Sequence, residues 1–429
     1  MSVLNRTVEP AVLPSPRADD SWAAFWDTFA TEHWDRGPVV VRGLTRPPFT
    51  GPETFEAAAA ACSGPERAAL ALPQLTVGRD QQHDPEAALP RADDRSLDGY
   101  ERRMASQLGG ERYALVLSRF HTHAFPLWRR QTEFFAPLWR RTGRPLGGTI
   151  TTMFHGTYES SPVGVHKDRF ATFMFVLRGS KRMRMWPARP WTENVSTMPD
   201  YDAHRDGSLV IEASAGDLVY WPSSYYHVGE SAGSGTASTS VNVGVAREEH
   251  QAEFDLVRFL DGHEAQPLPV PPSPPTDPPR PLLTAGGTDG VLGVPAELAA
   301  ALGRLRDATG PGAVRRRVAG LSVQECTSGG FAPVPPPATG LPAPALTARV
   351  RAVTPVVWTE CDGVRLYSAH GHVAVTTLPG TALATLLDRL GGGSPRRAAE
   401  VLHGLPAEAG DVLARLATFR ALDTRPAGR

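Results

Sequence analysis

Between residues 147 and 246 the chain is a succession of short strand-like runs, several of alternating apolar and polar residues, with glycine and proline at most of the turns between them. Such runs read as strands: 147–156, 169–179, 181–187, two within 208–231 joined by a turn near Ala215-Gly216-Asp217, and 238–246. Many short strands with tight turns fit two sheets facing each other in a jelly-roll barrel better than a helical or parallel α/β architecture. The mouth of such a barrel is polar, and ligands from different strands can converge there.

Two histidines and an aspartate stand out in this run. His166 and Asp168 lie two apart on one strand, so both project from the same face and Lys167 points the other way. His227 follows Asp168 by 59 residues, just past a strand exit at Pro222. A His-x-Asp pair alone often arises by chance, as a surface histidine beside a turn aspartate; the later histidine strengthens it. Two imidazoles and a carboxylate can hold Fe(II) and leave three adjacent positions open, the facial set of non-haem iron oxygenases. Lys181, thirteen residues after Asp168, suits the distal carboxylate of a buried 2-oxo acid as a compact cation. Its alternative is a solvent-facing lysine beside Arg182 and Arg184. Asn242, fifteen after His227, is either an amide that meets a ligand carboxylate or a structural amide with partners of its own. Thr152, Phe154, Tyr158, Tyr220, Trp221, Tyr225 and Tyr226 are candidates for lining the pocket. Core or rim packing is the alternative for the aromatic ones. His121 and His123 lack a third ligand and read as a polar loop.

At 429 residues the chain is long enough for more than one domain. A net charge of -1 exerts no global pull toward nucleic acid or an anionic membrane. Local clusters, Arg178 to Arg184 and Arg129 to Arg144, are either places for an acidic partner or solvated faces. Three distant cysteines, Cys62, Cys326 and Cys361, make neither a metal set nor a disulfide framework. With no signal-like leader and no apolar run of membrane-spanning length, a cytoplasmic enzyme is expected. Upstream, helices are expected from Trp22 through Trp34, at 52–65 and at 126–143, strands at 38–44 and 112–120, and a polar loop at 77–105. Four parts follow: a catalytic domain with its N-terminal extension at 1–250, a linker at 251–284, a helical linking region at 285–345 and a compact module at 346–429. The linker reading rests on nine prolines within 267–281. The helical region holds an amphipathic stretch at 294–308 and a loose, Pro-rich one at 327–346. The last module reads as strands turning at Asp362-Gly363, then three helices, one capped by Ser394 with Pro395 in its first turn, and a short final strand. Helices plus a small hairpin fit a winged-helix-like module. Without a recognition helix rich in Lys, Asn or Gln, direct nucleic-acid binding is not expected.

The run from Gly147 to Ala246, with FATEHWDRGPVVVRGL upstream, resembles the JmjC-type, cupin-fold family of Fe(II)- and 2-oxoglutarate-dependent oxygenases. The resemblance implies a double-stranded β-helix, with His166, Asp168 and His227 on iron and Lys181, after Gly179 and Ser180, on the 2-oxoglutarate C5 carboxylate. Asn242 stands at the spacing seen in the branch that hydroxylates asparagine in proteins, and MWPARPW resembles that branch's F-P-P element. One position departs: where that branch has threonine, three residues before the first ligand, this chain has Val163. The 2-oxoglutarate contacts must therefore differ, with Thr152 or a tyrosine as substitutes. The overall plan resembles the ribosomal-protein hydroxylases: barrel, helical region, winged-helix-like end. The resemblance implies hydroxylation of an amino-acid side chain in a protein or peptide, such as a ribosomal protein or a natural-product precursor peptide, and a homodimer through 285–325. The other readings are an oxygenase for a free small molecule or carrier-bound amino acid, and a non-catalytic cupin-like regulator.

Overall fold

The computed structural model describes residues 9–17, 22–64, 67, 71–145, 148–158, 160, 161, 163–231, 236–247 and 310–426. The proline linker and the 294–308 helix expected from sequence lie outside the described residues. The protein is a mixed α/β chain with a large mixed sheet and a smaller one, followed by a helical stretch and a small β-rich C-terminal region. It divides into two compact units: 1–250 with 329–336, and 251–328 with 337–429.

In the first unit the elements run β1 (Ala11–Pro14), α1 (Trp22–Glu32), β2 (Val39–Arg42), α2 (Gly51–Ala61), β3 (Gln74–Val77), β4 (Asp80–Gln81), α3 (Leu97–Gln107), β5 (Tyr113–Ser118) and α4 (Phe125–Thr142). Strands β6 (Thr149–Gly156), β7 (His166–Lys167), β8 (Phe170–Arg178), β9 (Ser180–Trp186), β10 (Leu209–Ser214), β11 (Leu218–Trp221), β12 (Tyr226–Ser231) and β13 (Ser238–Ala246) follow. Nine strands form one sheet, in the order β1-β2-β11-β8-β13-β6-β5-β3-β4, and four form the other, β10-β9-β12-β7.

Strand β8 shows why the two sheets come together. Its alternation sends Phe173 and Phe175 into a core with Trp26, Phe29 and Phe135 of the helices. Met174 and Val176 face the other way, into a second core with Met183 and Met185 of β9 and Ile211 of β10. Each face removes large apolar side chains from water, at roughly 1.5–3 kcal/mol per buried side chain. The 77–105 segment is not a plain loop. Ser96 accepts a hydrogen bond from the Gly99 amide and starts α3, which buries Leu97, Tyr100 and Met104 at helical spacing. Nor is 327–346 loose throughout. Phe331 is fully buried against Phe135, and its carbonyl accepts from the Trp128 indole at 2.9 Å. His121, expected in a polar loop, is also fully buried, with Nε2 3.3 Å from the Pro333 carbonyl.

The second unit holds α5 (Pro311–Thr327), β14 (Arg349–Ala352), β15 (Val357–Cys361), β16 (Val364–Ala369), β17 (His372–Thr376), α6 (Gly380–Gly391), β18 (Arg396–Arg397), α7 (Ala398–Leu402), α8 (Glu408–Thr418) and β19 (Leu422–Arg425). Asp362 and Gly363 both have positive φ, 50° and 78°, which a two-residue hairpin between β15 and β16 requires. The sequence places a helix start at Ser394-Pro395. Instead Arg396 and Arg397 pair with β14 as a strand, and the helix begins at Ala398.

His155, on β6, is as deeply enclosed as His121. Its Nε2 meets the Tyr113 hydroxyl at 3.0 Å and its Nδ1 the Thr239 hydroxyl at 2.9 Å. Burial drives both histidines down to about 3 and keeps them neutral; Lys181 and Arg178 add to the effect on His155. Below the ordinary value of about 6.5 the unfolded chain takes up protons that the folded chain refuses, so each histidine costs about 1.4 kcal/mol of stability per pH unit. We expect the urea midpoint to fall steadily from pH 6.5 toward pH 4, and His155→Gln to flatten that fall. An unchanged slope in the variant would mean that His155 is not held neutral.

Candidate metal centre

The pairing of β12 builds the site. It is antiparallel to β7 on one side, with His227 opposite His166, and to β9 on the other, with His227 opposite Met185. His227 thus shares the face of Met183 and Met185, between the two sheets. Strand β7 is only two residues long, and Asp168 sits in the turn just beyond it. The carboxylate reaches both imidazoles from there: 3.7 Å from His166 Nε2 and 3.5 Å from His227 Nε2. The ring centroids of the two histidines are 4.5 Å apart. One ligand atom from each of the three residues falls within 4.8 Å of the others, the one such cluster of this kind among the described residues.

Both rings are oriented from behind. His166 Nδ1 lies 2.9 Å from the Gly164 carbonyl, and His227 Nδ1 lies 3.4 Å from the Tyr225 carbonyl. A carbonyl only accepts, so each Nδ1 carries the proton and each Nε2 keeps its lone pair for a metal. Burial, and then the neighbouring His227, push the His166 pKa down and favour the neutral ligand form. Burial works to raise the Asp168 carboxyl, but the adjacent His227 side chain, and then His166, outweigh it and hold the acid below its usual range. Gly164 needs its positive φ of 72°, and a Cβ there would lie 2.3 Å from the Met198 carbonyl oxygen. Two neutral nitrogens and one anionic oxygen fit a divalent iron.

Lys181 lies on the same face of β9 as Met183 and Met185 and is 2% exposed. Its ammonium donates to the Tyr158 hydroxyl and sits 4.3 Å from that ring's centroid. Among the described residues no carboxylate is within salt-bridge reach of it. A buried cation lacking a counter-ion fits the carboxylate of a 2-oxo acid. Asn242 pairs with Met174 on one side and Thr152 on the other, so all three face the inter-sheet space. Its Oδ1 is buried without a partner, while Thr152 Oγ1 is 3.2 Å from Ser118 Oγ. Phe154, two residues on from Thr152 in β6, shares that face.

The other candidates divide. Tyr225 is buried in the inter-sheet core. Trp221 packs there too, its ring centroid 5.0 Å from that of His227. Tyr220 faces the opposite way, against Phe29, Trp34 and Phe173, and its hydroxyl accepts from the Asp35 amide at 2.9 Å. Tyr226 stacks edge-on against Trp191 behind β12. The basic clusters are largely matched: Arg178 with Asp98 and Glu101, Arg182 with Glu212, Arg184 with Glu230, Arg129 with Glu133, Arg130 with Glu53 and Arg141 with Asp27. Sequence reasoning missed the Gly164 carbonyl and the segment after β9. There Met198 bridges to Val165, and Trp191 and Tyr201 pack with Val228 behind the histidine-bearing strands. The one cue was the aromatic content of that segment.

Residues 135–253 match the family model described as JmjC domain. This segment is a JmjC domain. It holds β6 to β13 and with them every residue of the metal centre. No curated protein matches the chain. Among solved structures it is similar to YcfD from Escherichia coli, described as a ribosomal oxygenase, at 14% identity over 93% of this chain and 97% of that one, TM-score 0.45. A structure of YcfD with cobalt and 2-oxoglutarate matches at 15% identity over 93% and 98%, TM-score 0.44.

Two measurements probe the JmjC domain's ligand set. Gly164→Ala should weaken Co(II) binding by about 10- to 100-fold by disturbing the carbonyl that orients His166; unchanged affinity by titration calorimetry would show that this carbonyl is dispensable. Lys181→Met should raise the melting temperature of the ligand-free protein, by the equivalent of about 1 kcal/mol or more, because it removes a buried charge that has no counter-ion among the described residues. A lower melting temperature would mean that the cation is structurally compensated.

Proposed function

We propose that this protein is an Fe(II)- and 2-oxoglutarate-dependent oxygenase that hydroxylates an amino-acid side chain in a protein or peptide, with succinate and CO2 as coproducts. The observation that carries the reading is the buried Lys181, without a carboxylate partner among the described residues, on the same inter-sheet face as His227 of the triad. A triad alone fits several metals, whereas a triad with an enclosed cation fits a metal plus a carboxylate cosubstrate. The JmjC domain match and the resemblance in its motifs favour a side chain of a protein or peptide as substrate.

His166, Asp168 and His227 would hold the iron, and Lys181, with the Tyr158 hydroxyl beside it, would bind the distal carboxylate of the keto acid. Tyr158 is then the substitute for the threonine absent at Val163, and Asn242 offers its amide to the same ligand. Bound iron, with 2-oxoglutarate and dioxygen, supplies the oxidising power for C–H hydroxylation. The protein's own part is to fix both imidazoles through Gly164 and Tyr225, to keep Asp168 ionised and to exclude water with Trp221, Met183 and Met185. No side-chain general base is required of the chain.

The finer fold readings belong with this proposal. The runs β11-β8-β13-β6 and β10-β9-β12-β7 are read as the halves of a double-stranded β-helix, and 346–429 as a winged-helix-like module. The four-part division at 250, 284 and 345, a cytoplasmic location and a homodimer are proposed with it. Among the described residues no helix is long and apolar enough to cross a membrane.

The test is succinate formation from 2-oxoglutarate by anaerobically Fe(II)-loaded protein on exposure to oxygen, with peptides from ribosomal proteins and from neighbouring genes as substrates. Asp168→Ala should abolish succinate with little change in melting temperature. Full iron-dependent turnover in that variant would overturn the triad, and iron-dependent turnover with free amino acids but no peptide would overturn the substrate class.

A further inference from the structure

We propose that the solvent face of the β18-β14-β19 sheet in the second unit binds the phosphodiester backbone of a nucleic-acid duplex. This rests on register, charge and the lack of matching carboxylates. Residues 310–426 contain twelve arginines, no lysine and eight acidic residues, in a chain of net charge -1. The excess is concentrated. Arg349 is directly opposite Arg397 on one neighbouring strand and Arg425 on the other, and Arg351 is opposite Asp423. The partner set of a given residue shares its face, so Arg349, Arg351, Arg397 and Arg425 lie on one side of the sheet. Val350, between the first two, is fully buried in the hydrophobic core on the other side. Arg349, Arg397 and Arg425 are exposed.

Like charges directly opposite on adjacent strands destabilise a sheet, so such a row requires compensation. In the first unit the compensation is a carboxylate for nearly every clustered arginine. Here Asp423 is shared between Arg351 and Arg425, at 3.3 and 2.9 Å, while among the described residues Arg349 reaches only the Pro395 carbonyl and Arg397 has no carboxylate within 4 Å. A row of three guanidinium groups spans about 10 Å across three strands. Guanidinium forks match phosphate oxygens in pairs. The face carries no aromatic ring for base stacking and no Asn or Gln for base edges, so it is suited to backbone contact without sequence reading. These cations stand on strands rather than on a recognition helix.

The experiment is fluorescence anisotropy of the full-length protein with labelled 20-base-pair DNA and RNA duplexes of mixed sequence at low salt, repeated across a salt series. The expected result is micromolar binding that varies less than about threefold among sequences and falls with salt at a log–log slope of about -2 to -3, since about three phosphates are neutralised. Replacing Arg349, Arg397 and Arg425 together by Gln should weaken binding at least tenfold and bring the slope toward zero, with an unchanged melting temperature. The same three positions replaced by Lys should retain binding within about threefold. RNA and DNA binding alike, or either one alone, supports a backbone site and tells which duplex geometry it prefers. No binding at low salt, an unaffected Gln variant, a Lys variant as weak as the Gln one, or competition by polyglutamate as strong as by duplex would each overturn the proposal.

Discussion

Strand β12 is hydrogen-bonded on both edges, and its register determines the site. Facing β7 it sets His227 opposite His166; facing β9 it sets His227 opposite Met185 and Ser231 opposite Lys181. A slip of one residue would turn His227 to the outer face and Glu230 inward. What prevents that slip lies behind the strand. Val228 packs with Trp186, Trp191 and Tyr201, and Glu230 accepts from both Tyr201 and Arg184 at 2.7 and 2.8 Å. The outer face is therefore as strictly specified as the inner one. The polar ties of Glu230 and the apolar cluster together hold three ligands that are 61 residues apart in sequence at their ends.

Between the sheets the protein leaves polar groups unmatched where apolar ones would stabilise it more. Among the described residues the Lys181 ammonium has a phenol but no carboxylate, and both Asn242 Oδ1 and Trp221 Nε1 are enclosed without hydrogen-bond partners. Each such group costs free energy on burial. Sites that violate the usual pairing in this way tend to be those kept for a ligand. The contrast with His155 makes the point. It is just as deeply buried, but both of its ring nitrogens meet hydroxyls, and burial keeps it neutral.

Period-two alternation was a sufficient guide to the strands from 147 to 246, because successive side chains go to opposite faces with different surroundings, as in β10, where Ile211 and Ala213 are buried and Val210, Glu212 and Ser214 are exposed. The triad was legible for the same reason: the spacing of His166 and Asp168 and the exit before His227 are local. Tyr220 was not, since a strand buried on both sides offers no cue as to which face meets the site; its register with Phe173 decides that. The fate of His121 and Phe331 was equally hidden, because a contact between α4 and a segment some two hundred residues away leaves no periodic trace. At 396–397 a helix-start pattern lost to pairing with β14, where tertiary hydrogen bonds outweigh local preference.

Lys181 and the exposed arginines of β14, β18 and β19 both carry positive charge in excess of the carboxylates beside them among the described residues, and solvation separates what each can bind. Lys181 lies in a low-dielectric enclosure, where a single charge interacts strongly and salt scarcely screens it. Such a cation selects one small, well-placed carboxylate. The arginines of β14, β18 and β19 stand in water, where each attraction is weak and falls away within a Debye length. An exposed row gains affinity only by meeting many negative charges at once, as a polymer presents them. A small dicarboxylate would gain little there, and a polymer could not enter the space around Lys181. The two sites are thus complementary in the size of the anion they admit, a consequence of burial alone and independent of what either proves to bind.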